Sequence, residues 1–193
     1  GDFFGNSVAV SANRIVVGAY LDDPGAIDAG SAYLYDLTSN ATPATPFAVL
    51  TNPIPATGAQ AGYSVAVSGN LVVVGVRGDA TGADDAGSAR VYDLSTATPT
   101  VPVAILYNPS PGVGDYFGCS VAISGNRLVV GADSDSTGAS DAGSAYVYDL
   151  AGANPTIPVA TLNHASPNSG FGFSVAVAGS CVVVGAPYDD TGA

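Results

Sequence analysis

The chain has 193 residues and a formal charge of −12: its 16 acidic residues are all aspartate, its four basic ones are Arg14, Arg77, Arg90 and Arg127, and lysine and glutamate are absent. Without clustered cations it cannot release the counterions that nucleic-acid binding depends on, and an anionic membrane surface is disfavoured for the same reason. No apolar run approaches the roughly 18 residues of a transmembrane helix, so membrane insertion is not expected either.

From the N-terminus the first element is FGNSVAV (4–10), valines alternating with small residues, and after a tight SAN turn comes RIVVGA (14–19). An aspartate- and glycine-rich loop then leads to SAYLYDL (31–37), and a polar, proline-rich connection leads to PFAVL (46–50). Alternation and β-branched runs bounded by turn residues read as four strands, and the short first connection is hairpin chemistry. The same order returns as AGYSVAVSGNLVVVG (61–75) with SARVYDL (88–94) and PVAIL (102–106), then as FGCSVAISGNRLVVG (117–131) with SAYVYDL (144–150) and PVATL (158–162). A fourth copy, FGFSVAVAGSCVVVG (171–185), stops after two strands. The serine of each first strand, Ser7, Ser64, Ser120 and Ser174, recurs at spacings of 57, 56 and 54 residues.

A period of this length means stacked supersecondary units. The expected fold class is all-β: β-propeller blades of four antiparallel strands, three complete repeats plus a half repeat, in one array with units at about 1–57, 58–113, 114–167 and 168–193. Small alanines in the first strand (Ala9, Ala66, Ala122, Ala176) suit a crowded innermost position, and the second and third strands are apolar on both faces, as sheets packed between neighbours require. A β-solenoid is the alternative, with shorter rungs and fewer hairpins.

The order Phe-Gly, Ser-Val-Ala-Val, Val-Val-Gly-Ala, Asp/Gly loop, Gly-Ser-Ala-Tyr resembles the FG-GAP repeat, of the type found in large bacterial secreted or surface proteins and related to the integrin α-subunit propeller. The resemblance rests on Phe4-Gly5, Phe117-Gly118 and Phe171-Gly172, on Gly18-Ala19, Gly131-Ala132 and Gly185-Ala186, and on Gly30-Ser31-Ala32-Tyr33 and Gly143-Ser144-Ala145-Tyr146. The second unit departs, with Ala61-Gly62 and Gly75-Val76. In the integrin relatives a calcium loop occupies the hairpin between the first two strands; here that hairpin holds no acid, so that site does not transfer.

The aspartates sit one loop later: Asp22, Asp23 and Asp28; Asp79, Asp84 and Asp85; Asp133, Asp135 and Asp141; and Asp189 and Asp190. Such loops could offer calcium several of its six to eight oxygens. The preferred reading is ordinary turn chemistry, in which Asp bonds its own backbone and tolerates left-handed conformations, because the positions drift between copies. Catalysis has little footing. His164 stands where earlier units have Asn52 and Asn108, and the Ser-Val-Ala-Val serines recur in every unit, which speaks for packing. Cys119 and Cys181 fit no zinc or redox spacing and read as structural or free thiols.

A non-catalytic binding or adhesion module for a protein, glycan or surface polymer follows, secreted or at the cell surface; a structural subunit of an extracellular fibre or surface assembly is the alternative. Regular repeats favour the structural reading. Divergence in the second unit, with Arg77 at the position of Asp133 and Arg90 at that of Tyr146, favours binding. No signal peptide is visible, and Asn40-Ala41-Thr42 is a glycosylation sequon on a surface connection. The half repeat should leave Cys181-Val182-Val183-Val184 as an apolar edge, covered either within a longer polypeptide or by self-association.

Overall fold

The computed structural model describes residues 1–38 and 45–190; the sequon and Thr191-Gly192-Ala193 lie outside them. The first sheet holds β1 (Phe4–Ser11), β2 (Arg14–Ala19), β3 (Ser31–Asp36) and β4 (Ala48–Thr51), and the second β5 (Ala61–Ser68), β6 (Leu71–Val76), β7 (Ser88–Asp93) and β8 (Ala104–Tyr107). The third holds β9 (Ser120–Ser124), β10 (Arg127–Ala132), β11 (Ser144–Asp149) and β12 (Ala160–Asn163), and β13 (Ser174–Ala178) and β14 (Cys181–Gly185) form a fourth of two strands. Among the described residues the strands within each sheet pair antiparallel with their neighbours in the chain, so each sheet is a meander, and two isolated parallel bridges, Gly30 with Ala61 and Gly87 with Phe117, link one blade to the next. The first strands are neighbours around a common axis, β1 against β5, β5 against β9 and β9 against β13. This is a propeller-like array of blades, not a solenoid.

The hydrophobic core lies between sheets, which explains the two-sided apolar strands. Val16, Leu34 and Leu50 of the first blade close against Val65, Val67, Val72, Val74 and Tyr92 of the second. Val73 and Val91 of the second meet Leu128, Val130, Tyr146 and Tyr148 of the third. Val129 and Val147 of the third meet Val175, Val177, Val182 and Val184 of the last. Alternate residues of one strand therefore serve different interfaces, as the period-2 geometry dictates.

The repeated glycines set how closely the blades approach. A Cβ on Gly18 would lie 2.0 Å from the carbonyl oxygen of Gly62, one on Gly75 2.1 Å from that of Gly118, and one on Gly131 2.0 Å from that of Gly172. In the second, third and fourth blades the glycine at the Phe-Gly position thus sits backbone to backbone on the Val-Gly glycine of the blade before, in a conformation with positive φ: 85° at Gly62, 89° at Gly118 and 95° at Gly172. The conformation also bulges the first strands, between Phe4 and Val8 and between Ala61 and Val65.

Serines add hydrogen bonds across the same seams. Ser64 Oγ donates to the Gly118 carbonyl (2.8 Å) and Ser120 Oγ to that of Gly172 (2.6 Å), while Ser7 Oγ accepts from the Val65 amide (3.0 Å). At the opposite end Ser11, Ser68 and Ser124 accept from the amides of Gly69, Gly125 and Gly179 in the next hairpin (3.1, 3.0 and 3.2 Å). These hydroxyls are tied into blade packing, so their recurrence has a structural cause.

Candidate binding face

Strand direction gives the molecule two unlike ends. At one lie the short hairpins; at the other lie the Phe-Gly turns, the loops between second and third strands, and the returns from each fourth strand to the next blade. The Phe-Gly end is where the aspartates named above are found.

Aligned by register, Asp22, Asp79 and Asp135 occupy one position, and their side chains do one job. Asp22 Oδ2 accepts from the Tyr33 hydroxyl (2.8 Å) and Oδ1 from the Asp23 amide (3.1 Å). Asp135, fully buried, accepts from the Tyr146 hydroxyl and from the Thr137 amide (2.6 Å). In the second blade Arg90 replaces the tyrosine: its Nη2 lies 3.1 Å from Asp79 Oδ2, which also accepts from Ser88 Oγ (2.6 Å), while Thr81 donates its amide and hydroxyl to Oδ1 (2.9 and 2.6 Å). Arg90 also reaches Asn52 Oδ1 (3.0 Å). The positional drift expected from the sequence is therefore absent at this position, which Asp189 fills in the fourth blade with the same turn bond to Ala186, and in the three complete blades its side chain bonds to the protein's own strands and loops.

A second shared position, Asp28, Asp85 and Asp141, is left-handed, with φ of 53°, 53° and 48°. The carbonyls of Asp28 and Asp85 accept the amides of Gln60 (3.0 Å) and Tyr116 (3.1 Å) from the following blade. Asp23 Oδ1 caps the Asp28 amide (2.7 Å), and Ser136 Oγ accepts from the Asp141 amide (3.1 Å). Asp84 and Asp190 are exposed. Asp189 Oδ2 lies 3.4 Å from His164 Nε2, and that ring stacks on Phe171 with centroids 5.6 Å apart. Asp133 is half-buried beside Arg77 and Cys119; burial raises its pKa, against the pull of the Arg77 charge. Among the described residues no three acidic, histidine or cysteine side chains gather as a cation site.

Near the axis the Phe-Gly end carries a different group, which sequence reasoning missed apart from Arg77. Phe3 packs on Tyr20 (centroids 5.3 Å apart), Tyr20 meets Tyr63 edge-on (5.2 Å), and the Arg77 guanidinium lies 5.0 Å from the Tyr63 ring centre and 3.6 Å from that of Tyr116. The row spans three blades. Its members come from three register positions: the residue before Phe-Gly (Phe3, Gln60, Tyr116, Gly170), the one after it (Asn6, Tyr63, Cys119, Phe173), and the one after Gly-Ala (Tyr20, Arg77, Asp133, Pro187). These positions vary from blade to blade, while the glycines and serines around them repeat. That contrast is the signal a register alignment would have shown. The first position is also strained: φ is 49° at Phe3, 61° at Gln60 and 58° at Tyr116, where the fourth blade has glycine at 67°.

Cys119 is buried, its thiol pushed up by desolvation and directed to the Gly172 carbonyl at 3.6 Å, which makes it unreactive; Cys181 is exposed.

The FG-GAP repeat family model matches residues 1–35, 48–92, 103–148 and 161–193. Among the solved structures that share the fold are two designed proteins. The computationally designed Ika8 protein, seen in a P63 crystal packing, is 17% identical with a TM-score of 0.56 over 94% of this chain, and the chain covers 42% of that protein's length. The computationally designed Ika4 protein is 18% identical with a TM-score of 0.53, over 94% of this chain and 84% of that one. No curated protein sequence matches. With four matched segments covering most of its length, and with the Phe-Gly and Gly-Ala glycines meeting at each blade seam, this chain belongs to the FG-GAP repeat family.

Proposed function

We propose that the chain is a non-catalytic extracellular recognition module that engages a protein, glycan or surface polymer at its Phe-Gly end. The observation that carries this reading is the row of Phe3, Tyr20, Tyr63, Arg77 and Tyr116: repeat-breaking residues gathered at one end of an otherwise regular array. Aromatic rings and arginine are the side chains that dominate binding energy at interfaces. The lysine-free, aspartate-rich composition and the resemblance to surface-protein repeats support a location outside the cytoplasm. The test exchanges register residues between blades, which leaves the fold intact: Tyr63→Asn copies the first blade, and Arg77→Tyr does the same. Protein and glycan arrays probed with the native chain should give hits that both variants lose at unchanged melting temperature; hits indifferent to both would reject this face.

The structural-subunit reading has its own support in the two end faces. Val8 and Val10 are 64% and 69% exposed where their counterparts Val65 and Val67 are buried, and Val183 is 66% exposed where Val16, Val73 and Val129 are fully buried. These are complementary halves of the internal blade interface. On this reading they mate head to tail with a matching blade, and light scattering of the native chain against Val8→Asp and Val183→Asp reports whether copies supply it.

A further inference from the structure

Inside the array, between the return into the second blade and the loop after β6, lies a cavity of about 230 Å3 whose lining includes Asn52, Ile54, Ala59, Thr81, Arg90 and Tyr107. The third blade has a cavity at matching register positions, lined by Ser110, Asp115, Asp135 and Thr137 among others. The groove therefore belongs to the repeat, and its lining differs from blade to blade. Arg90 stands at the position of Tyr146, Ala59 at that of Asp115 and Ile54 at that of Ser110.

These exchanges leave the second-blade cavity rich in donors. In the third blade Asn108 donates Nδ2 to Asp115 (2.7 Å). Alanine at 59 removes that acceptor from Asn52, whose Oδ1 is held by the Ile54 amide (3.1 Å) and by Arg90 Nη2 (3.0 Å), so its Nδ2 is the end left to donate. Arg90 is 2% exposed; Nη1 meets Ser88 Oγ (2.7 Å), Nη2 meets Asn52 and Asp79, and Nε is buried without an acceptor. A buried donor left unpaired carries a desolvation cost that a bound acceptor relieves. The protein's own acceptors are taken, since both Asp79 oxygens already receive bonds from Ser88, Thr81 and Arg90.

The cavity has no net charge to offer an anion, because Asp79 lies 3.1 Å from the guanidinium. It also opens at the end that holds all of the aspartates except Asp36, Asp93 and Asp149, whose field repels anions. Donors without net charge, beside the apolar Ile54 and Ala59, fit a neutral carbonyl that carries a methyl group. Tyr107, exposed at the rim, adds an aromatic face for a ring bearing that group. Pockets for drug-sized ligands span about 300–1,000 Å3, so this smaller one has room for a substituent and the adjoining edge of one ring.

We propose that this cavity is a subsite for a neutral N-acetylated amino sugar. The acetamido oxygen accepts from Arg90 and Asn52, its methyl group lies against Ile54 and Ala59, and the sugar ring rests on Tyr107. The site is separate from the axial aromatic row and does not depend on it.

The experiment is saturation-transfer NMR and titration of the native chain with N-acetylglucosamine and N-acetylgalactosamine, against glucose, galactose, acetate and acetyl-lysine amide. Expected are strongest saturation at the acetamido methyl and binding at least roughly tenfold tighter than that of the parent hexoses. Ala59→Asp copies the third blade, fills the cavity and gives Asn52 a carboxylate, so it should abolish binding. Ile54→Ser and Tyr107→Asn, also third-blade residues, should each weaken it roughly three- to tenfold. Both positions are exposed, so these two variants keep the fold and test the site even where Ala59→Asp lowers the melting temperature. Equal binding of the hexoses, or indifference to Ile54→Ser and Tyr107→Asn, would overturn the subsite. Acetate or acetyl-lysine amide binding in place of the sugars would overturn the ligand class. Sugar binding lost in Tyr63→Asn but kept in Ala59→Asp would move it to the axial row, overturning this site and leaving the binding face standing. No binding by any of these probes would remove the subsite.

Discussion

At Gly131, added bulk and backbone conformation can be separated. A Cβ there would meet the Gly172 carbonyl at 2.0 Å, backbone that no side-chain rotation can move, so Gly131→Ala should cost roughly 1–3 kcal/mol or more by forcing two blades apart. Gly125 has open space around it and only its φ of 58° to lose, so Gly125→Ala should cost about 1 kcal/mol. Ala12 occupies the equivalent hairpin position at φ 51°, where the other units have glycine, and Ala12→Gly should gain about that amount. Urea titration of the three variants measures all of these; a Gly131→Ala no worse than Gly125→Ala would mean the blades are not in contact there. Asp115 gives a pH-dependent counterpart. Burial, and secondarily the charges of Asp135 and Asp141, raise its pKa, against the bonds it accepts from the Gly112 amide and Asn108. A carboxyl raised in the folded state is a penalty at neutral pH that is relieved as pH falls through the folded value toward the unfolded one. Asp115→Asn keeps an acceptor, so it should raise the melting temperature at pH 7 and lose that advantage in acid.

Among the elements, the third strands differ in how they anchor the loop before them. In the first and third blades a tyrosine hydroxyl holds the loop aspartate; the Tyr33 pKa rises to about 12 through burial and then through its bond to Asp22. In the second blade the aspartate faces a cation. Burial works against the Asp79 carboxylate, but Ser88, Thr81 and Arg90 together hold its pKa below the ordinary value, so its contribution is present above the unfolded pKa and is lost as pH falls through the folded one. Removing the partner leaves that buried charge with three neutral donors, the Ser88 hydroxyl and the amide and hydroxyl of Thr81. Arg90→Met should therefore destabilise by about 3 kcal/mol, and Arg90→Tyr, which restores the arrangement of the neighbouring blades, should recover most of the loss. Thermal melts at pH 7 compare them; equal stability of the two variants would show that the cation, not a donor at that place, is what β7 supplies.

For the molecule as a whole, the question raised by so many aspartates is calcium. The acids at the shared position already give oxygens to Tyr33, to Ser88, Thr81 and Arg90, and to Tyr146 and Thr137, so the expected effect of calcium on stability is small. A site of micromolar affinity would add about 4 kcal/mol at millimolar calcium. Melting in calcium against chelator, repeated on Asp133→Ala combined with Asp135→Ala, decides the matter. A large chelator-sensitive shift that this double variant abolishes would return these loops to metal chemistry. Opposite signs of charge at the two ends are absent; the difference is one of density, with all of the aspartates except Asp36, Asp93 and Asp149 at the Phe-Gly end.

The strands, their antiparallel order and the repeat were legible in the sequence because each rests on local rules: period-2 alternation around Ser-Val-Ala-Val, two-residue hairpins, glycine and aspartate at loop positions. Tyr146 and Tyr148 could be assigned to a packed face because both faces of their strand were apolar. Pairing across the seams was not legible. Nothing local says that Gly131 needs its missing Cβ because Gly172, far along the chain, lies against it, or that Asp135 serves Tyr146 while Asp133 faces Arg77. The aromatic row was hidden for the same reason. Phe3, Tyr20, Tyr63 and Tyr116 are scattered over more than a hundred positions, and only the fan of blades around one axis, which brings the starts of β1, β5 and β9 together, makes them neighbours.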